Sequence, residues 1–296
     1  MPLPLARHAA TGLLLCALAL PPVAGQVKAS EPASVSQTID GTVISVEYSR
    51  PRARGREALF GGEVKWDEVW TPGANWATTL EVGKDVSVNG HALAKGRYSV
   101  WMVVRPETWT VVFDPRARMF HTRHPDSTPE QVRFDVTPET APFTEVLTFG
   151  FPEVRLAGAT LAMQWGTIRV PLRIEVPPSY RLELTSAEIS PYLGTWEMHW
   201  RNPDWGDTTV TIAFALTHRD GALHGDWLKD PWPDAEPFLL IPTHDRWFSM
   251  GLIKDGALYE IMDGMTFEFG PAAGRARTFE LRGEKDDVVA AGKRGR

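Results

Sequence analysis

The chain has 296 residues, 23% of them charged, and a formal net charge of −6. An acidic balance of this kind argues against nucleic acid or an anionic membrane surface as partner, because both select for basic faces. With one cysteine, Cys16, the chain can form no internal disulfide and no multi-thiolate metal site.

Residues 1–25 read as a secretory signal peptide: one basic residue, Arg7, then the apolar run GLLLCALAL, then PPVAG with small residues at the expected cut near Gly25. The run is too short for a permanent membrane span, and Pro21-Pro22 would break a buried helix there. Leu15 stands where a lipoprotein cysteine needs a small residue, so Cys16 is not expected to be lipidated. Cleavage removes one of 31 basic residues and none of 37 acidic ones, leaving 30 against 37, a net charge of −7. The expected mature protein is secreted or periplasmic, has no cysteine, and carries no later run long enough to cross a membrane as a helix.

After the signal, period-two alternation dominates. GTVISVEYS sets Ile44, Val46 and Tyr48 on one face; QVRFDV does the same with Val132, Phe134 and Val136, and TIRVPLRI with Ile168, Val170, Leu172 and Ile174. RYSVWMVV is apolar on nearly both faces, as a central sandwich strand should be, and Pro171 points to an edge strand. Asp40-Gly41, Asn89-Gly90, Asp220-Gly221, Asp255-Gly256 and Asp263-Gly264 are tight-turn pairs that tolerate the positive φ of a two-residue hairpin. The expectation is an all-β protein: an antiparallel β-sandwich over 26–178, a linker over 179–190, a small antiparallel barrel-like domain over 191–291 and a polar, frayed tail over 292–296.

The irregular stretch SRPRARGREALFGGEVKWDEVWTPGANWATTLE, Ser49 to Glu81, stands apart from this pattern. In extended chain Arg50, Arg52, Arg54 and Arg56 share a face, either as an anion-binding rim or as partners of Glu63, Asp67 and Glu68. Of twelve tryptophans, Trp101, Trp109, Trp165 and Trp196 lie on strands and fill cores. Trp66 and Trp70 are expected against the sandwich, with Trp76 the most exposed ring, and Asn75 tying down a turn. The candidate ligand-binding set is therefore Arg50, Arg54, Trp66, Trp70, Asn75 and Trp76.

The segments VSQTIDGTVISVEYSRPRARGREALFGG, VWTPGANWATTLEVGKDVSVNGHALAKGRYSVWMV and WTVVFDP resemble the secreted bacterial family catalogued as domain of unknown function 2911, over about residues 35–176. That family typically carries an arginine after the first Trp and a glutamate after the Asn, where this chain has Thr71 and Trp76, so the resemblance implies no role for such a charged pair here. In the second half YLGTWEM and ARTFELRGE are weakly similar to small β-domains appended to secreted hydrolases, and Gly194 and Trp196 have the Gly-x-Trp spacing of lipocalin-type barrels. Neither resemblance implies an activity.

No Gly-x-Ser-x-Gly, Ser-x-x-Lys, His-Glu-x-x-His or phosphate-loop motif occurs. HTRHPD offers His121, His124 and Asp126 as metal ligands, but a polar turn flanked by Pro125 and Pro129 accounts for them better, so neither metal nor cofactor is expected. His199, His218, His224 and His244 fall on outward or turn positions. Glu63, Asp67 and Glu68 beside Trp66 and Trp70 are the carboxylates a glycan hydrolase would need. The expected role is non-catalytic binding of a glycan or small molecule at the cell envelope. A hydrolase of envelope glycans or peptides, and a lipocalin-like carrier, stand as alternatives.

Overall fold

The computed structural model describes residues 29–201, 209–229, 235–270 and 274–295. The signal segment, with Cys16 and Gly25, lies outside them. Nineteen strands and one helical turn follow in chain order: β1 (Glu31–Ile39), β2 (Thr42–Arg50), β3 (Val69–Trp70), β4 (Thr79–Val82), β5 (Val86–Val88), β6 (His91–Leu93), β7 (Gly96–Val103), β8 (Trp109–Asp114), β9 (Val132–Val136), β10 (Glu139–Arg155), β11 (Gly158–Glu175), α1 (Ser186–Ile189), β12 (Gly194–Arg201), β13 (Thr209–Arg219), β14 (Ala222–Lys229), β15 (Phe238–His244), β16 (Trp247–Lys254), β17 (Ala257–Phe269), β18 (Thr278–Arg282) and β19 (Val288–Arg294).

Two antiparallel sheets form the first half. One has seven strands in the order β1-β2-β4-β7-β8-β9 with β3 beside β7, and the other has four in the order β10-β11-β5-β6. The apolar alternates of β2, β9 and β11 all turn into one core shared by both sheets. β11 is not an edge strand: it pairs with β10 as far as Arg169 and with β5 from Ile174. Pro171 falls between those two ladders, where no partner calls on its missing N–H.

The second half closes into a barrel of β12 to β19, each strand bonded to its sequence neighbour and β12 to β19. Its core is separate from that of the sandwich and is dominated by Trp196, Phe214, Phe238, Phe267, Phe269 and Phe279. Two glycines make room for this ring packing. A Cβ on Gly225 would lie 2.1 Å from the Phe238 ring, and one on Gly292 would lie 2.2 Å from the Phe279 ring. Between the two cores, Tyr180, Leu182 and Leu184 alternate inward against the barrel, so the linker is docked over most of its length and Pro177 to Ser179 is its exposed part.

Four Asx-Gly pairs turn hairpins with both φ angles positive: Asp40-Gly41, Asn89-Gly90, Asp220-Gly221 and Asp255-Gly256. Asp263-Gly264 does not. It lies within β17, where the register against β16 slips between Ser249 and Gly251, so the extra residues form a bulge rather than a turn. The expected frayed tail is also corrected: residues through Arg294 belong to β19 and seal the barrel. Arg294 lies 4.6 Å over the Trp196 ring, donates from Nε to Ala276 O at 2.7 Å, and donates to the carbonyls of Leu193 and Pro191. A tail that reads as polar is held because one guanidinium satisfies three backbone acceptors at once.

Arg294→Ala should therefore cost the barrel about 3 kcal/mol, from lost charge-assisted hydrogen bonds and exposed indole. Arg294→Lys should recover less than half, since an ammonium cannot span the three carbonyls and the ring together. Chemical denaturation followed by tryptophan emission measures both.

Candidate functional site

The site is built on the outward face of the seven-stranded sheet. β7 is buried on both sides: Val100 and Met102 enter the shared core, while Trp101 turns outward beside Val112 of β8. Ala77, Met119 and Val69 cover these two outward residues. Trp101 Nε1 donates to Ser99 Oγ at 2.9 Å, so the buried indole is satisfied on its own strand. Two loops, 71–78 and 115–131, thus acquire an apolar seat on a sheet face that would otherwise meet water.

The first loop is folded by two threonines. Buried Thr71 donates to Val100 O at 2.9 Å and accepts from Thr78 N at 3.0 Å, and Thr78 Oγ1 donates to Pro72 O at 2.8 Å. Asn75 takes a left-handed φ of 64°, and its side chain reaches Ser30 O at 3.3 Å and Ser49 Oγ at 3.4 Å. Backbone bonds from Ala77 N to Met119 O (2.8 Å) and from His121 N to Asn75 O (2.9 Å) join the two loops.

The second loop is anchored by Asp114. Its side chain has no solvent exposure, and it accepts from Arg116 Nε at 2.9 Å, Arg116 Nη2 at 2.7 Å, the Arg116 backbone N at 2.8 Å and Gln131 Nε2 at 2.6 Å. Gln131 Nε2 also donates to Asp126 O at 2.8 Å. Burial by itself would raise the carboxyl pKa; the donors from Arg116 and Gln131 overcome it and hold the group at about 2. One buried carboxylate therefore fixes the loop near both of its ends.

On this frame lies an open groove of about 630 Å³ lined by β1, β2, Trp76, Thr79, Arg97 and Arg118. A second hollow of about 660 Å³, lined by Phe120, Thr122 and Arg123, shares Trp76 and Arg118 with it. Both volumes suit a small organic ligand. The Trp76 ring is 50% exposed, with the Arg118 guanidinium 4.6 Å over it and Phe120 edge-on at 5.5 Å. In the groove Arg97 is paired with Glu47 and donates to Thr79 Oγ1 at 3.2 Å.

The sequence-derived residues divide. Trp76 is the groove's aromatic floor, and Asn75 fixes the turn that presents it. Trp70 belongs to the core, stacked on Trp165 at 6.0 Å and packed near Phe60 and Trp109. Trp66 lies 41% exposed on the surface against Gly61, not against the sandwich, because Gly61 leaves its Cβ position to the indole. Arg50 donates to Leu147 O at 3.2 Å and Thr148 Oγ1 at 2.9 Å, tying the two sheets together. Arg54 is exposed at a left-handed turn with Gly55 and donates to Ala29 O at 3.2 Å. That turn breaks the expected alternation, so the four arginines do not share a face. Arg56 pairs with Glu63 at 3.1 Å as expected, whereas Asp67 pairs with Arg105 at 2.8 Å. His121 and His124 line a third hollow of about 250 Å³ with Glu63, Glu68 and Trp70. Among the described residues no three such groups converge as a metal site; Asp126 is not in that hollow's lining, and its backbone carbonyl accepts from Gln131. Arg97, Arg118, Phe120 and Arg123 were missed. Their signal was available in PRARMFHTRHP, residues 115–125, which has three arginines, two histidines and no carboxylate in an acidic protein.

The Asp114 anchor has a pH signature. Its folded pKa of about 2 lies below the ordinary 3.8, so its contribution is fully present above pH 4 and is lost as pH falls from 4 through 2. The loss amounts to roughly 2 kcal/mol. In urea titrations at pH 5 and pH 2, wild type should lose that much more stability than Asp114→Asn, which has no carboxylate to protonate.

No curated protein and no solved structure matches the chain. The family model described as "Protein of unknown function (DUF2911)" matches residues 30–174, which span both sheets of the sandwich and the whole groove. The first half of the chain, groove included, belongs to the DUF2911 family.

Proposed function

We propose that the protein is a secreted or periplasmic, non-catalytic binding protein that holds a saccharide in the Trp76 groove. The observation that carries this reading is the Trp76 ring: half exposed, yet held by its loop, Arg118 and Phe120 between two hollows. A flat apolar ring bordered by hydrogen-bonding groups suits a sugar, whose C–H face stacks while its hydroxyls find Glu47, Ser49, Thr79 and Arg97. Rigid presentation lowers the ordering cost of binding. The signal-like residues 1–25 support export, and among the described residues no helix is long and apolar enough to span a membrane. The sandwich, 26–178, and the barrel, 191–291, are read as two units joined through 179–190. The eight buried aromatic rings of the described barrel core favour the sandwich over the barrel as the ligand-bearing unit.

A hydrolase is the second reading, favoured by the hollow where Glu63, Glu68, His121 and His124 meet beside Trp70. Release of reducing ends from a bound oligosaccharide, abolished by Glu68→Gln, would select it over simple binding.

Two substitutions separate site from scaffold. Trp76→Ala should weaken retention on immobilised polysaccharide at least tenfold and move the stability by under about 0.5 kcal/mol, as for a surface change. Trp70→Ala should cost about 3 kcal/mol, as for a large core ring, and leave the groove's binding intact in the folded fraction. Affinity electrophoresis and thermal melts report the two outcomes.

A further inference from the structure

Charge around Trp76 is unbalanced. Between Pro115 and Pro125 the chain carries Arg116, Arg118 and Arg123 and no carboxylate. Arg116 is taken up by Asp114. Arg118 has no ion pair or side-chain hydrogen bond among the described residues, and its contact is the face of Trp76. Arg123 likewise has no side-chain partner among them, and it lines the second hollow with Arg118. By contrast, Arg56, Arg97, Arg105, Arg155, Arg169, Arg181 and Arg219 each have a carboxylate within ion-pair distance, whereas Arg173, which has none among the described residues, lies away from any aromatic face.

An unpaired, hydrated guanidinium alone would mean little. Arg118, however, is held with its guanidinium carbon 4.6 Å over the Trp76 ring, a cation–π contact that keeps its forked N–H donors beside the aromatic face. Such a preorganised fork matches a carboxylate or sulfate group. We infer that the groove's ligand is an acidic saccharide, bearing a carboxylate or a sulfate ester that meets Arg118 and Arg123 while a sugar ring lies against Trp76. This rests on the proposed reading of the groove and adds to it the sign of the ligand's charge. In a protein of net negative charge, a local cationic pair lets an acidic polymer approach one place and be repelled from the rest.

The test uses the full secreted chain in affinity electrophoresis at 0.15 M salt, roughly the condition at which the Debye length is about 8 Å. Four probes are used: polygalacturonate, its methyl ester, dextran sulfate and dextran. The inference expects at least tenfold tighter retention by one acidic polymer than by its neutral counterpart. Polygalacturonate assigns a carboxylate and dextran sulfate a sulfate ester. Arg118→Gln/Arg123→Gln should erase that preference, bringing retention of the acidic polymer down to that of its neutral counterpart, with the melting midpoint unchanged. The remote control Arg173→Gln should change nothing. Equal retention of acidic and neutral polymers, lost in Trp76→Ala, overturns the charge inference and keeps the saccharide groove. Acidic retention that survives both Trp76→Ala and the double arginine variant overturns the groove itself, as does no retention of any of the four.

Discussion

A carboxylate with no access to solvent ties both ends of a long loop to the sheet beneath it. Asp114 closes β8, and its oxygens take donors from Arg116, two residues on, and from Gln131, at the far end of the loop. Burying an unpaired carboxylate would be prohibitive, so the loop must return Gln131 and fold Arg116 back for the strand to end as it does. Between those ends the loop seats Met119 over Trp101 and Val112 and bonds to the 71–78 loop through Met119 O and His121 N. Held this way, the loop places Arg118, Phe120 and Arg123 around Trp76. The groove follows from a constraint that lies beneath it and that no ligand would touch.

The barrel solves a comparable problem with the opposite charge. There a cation at the barrel's edge, Arg294, collects three carbonyls from two segments and covers Trp196. In each half one ion with several partners secures a segment that leaves the strand ladder. Both ions sit at the end of a strand, where backbone groups leave the ladder and need a new partner.

How much of this was legible depends on range. Asp40-Gly41 or Asn89-Gly90 announces a hairpin locally, because the turn's φ values are a property of those two residues. Asp263-Gly264 carries the same signal and lies in a bulge, since pairing of β17 with β16 on both sides overrides it. Trp76 could be read as exposed because its neighbours are turn formers, while the sequence around Trp66 and Trp70, which carries Asp67 and Glu68, does not by itself separate the core ring from the surface one. Arg50 could not be assigned, because its acceptors lie 97 and 98 residues away in sequence. Nor could Arg118: its position over Trp76 depends on two loops meeting, and its chemical hint is the absence of acidic neighbours over eleven residues. Arg294 was obscured by a polar, glycine-containing tail that reads as disorder until its carbonyl partners are in view.

The aromatic cluster under the sheets has an optical consequence. Trp70 and Trp165 are stacked at 6.0 Å with planes 14° apart, and Trp109 stands 6.5 Å from Trp70 at 87°. Three indoles at that spacing couple their strong far-ultraviolet transitions, giving the sandwich an exciton contribution to its far-ultraviolet circular dichroism. Trp76 lies outside the cluster and in water. The sandwich thus carries two spectroscopically distinct kinds of tryptophan, one reporting whether its core is assembled and the other whether its surface ring is covered.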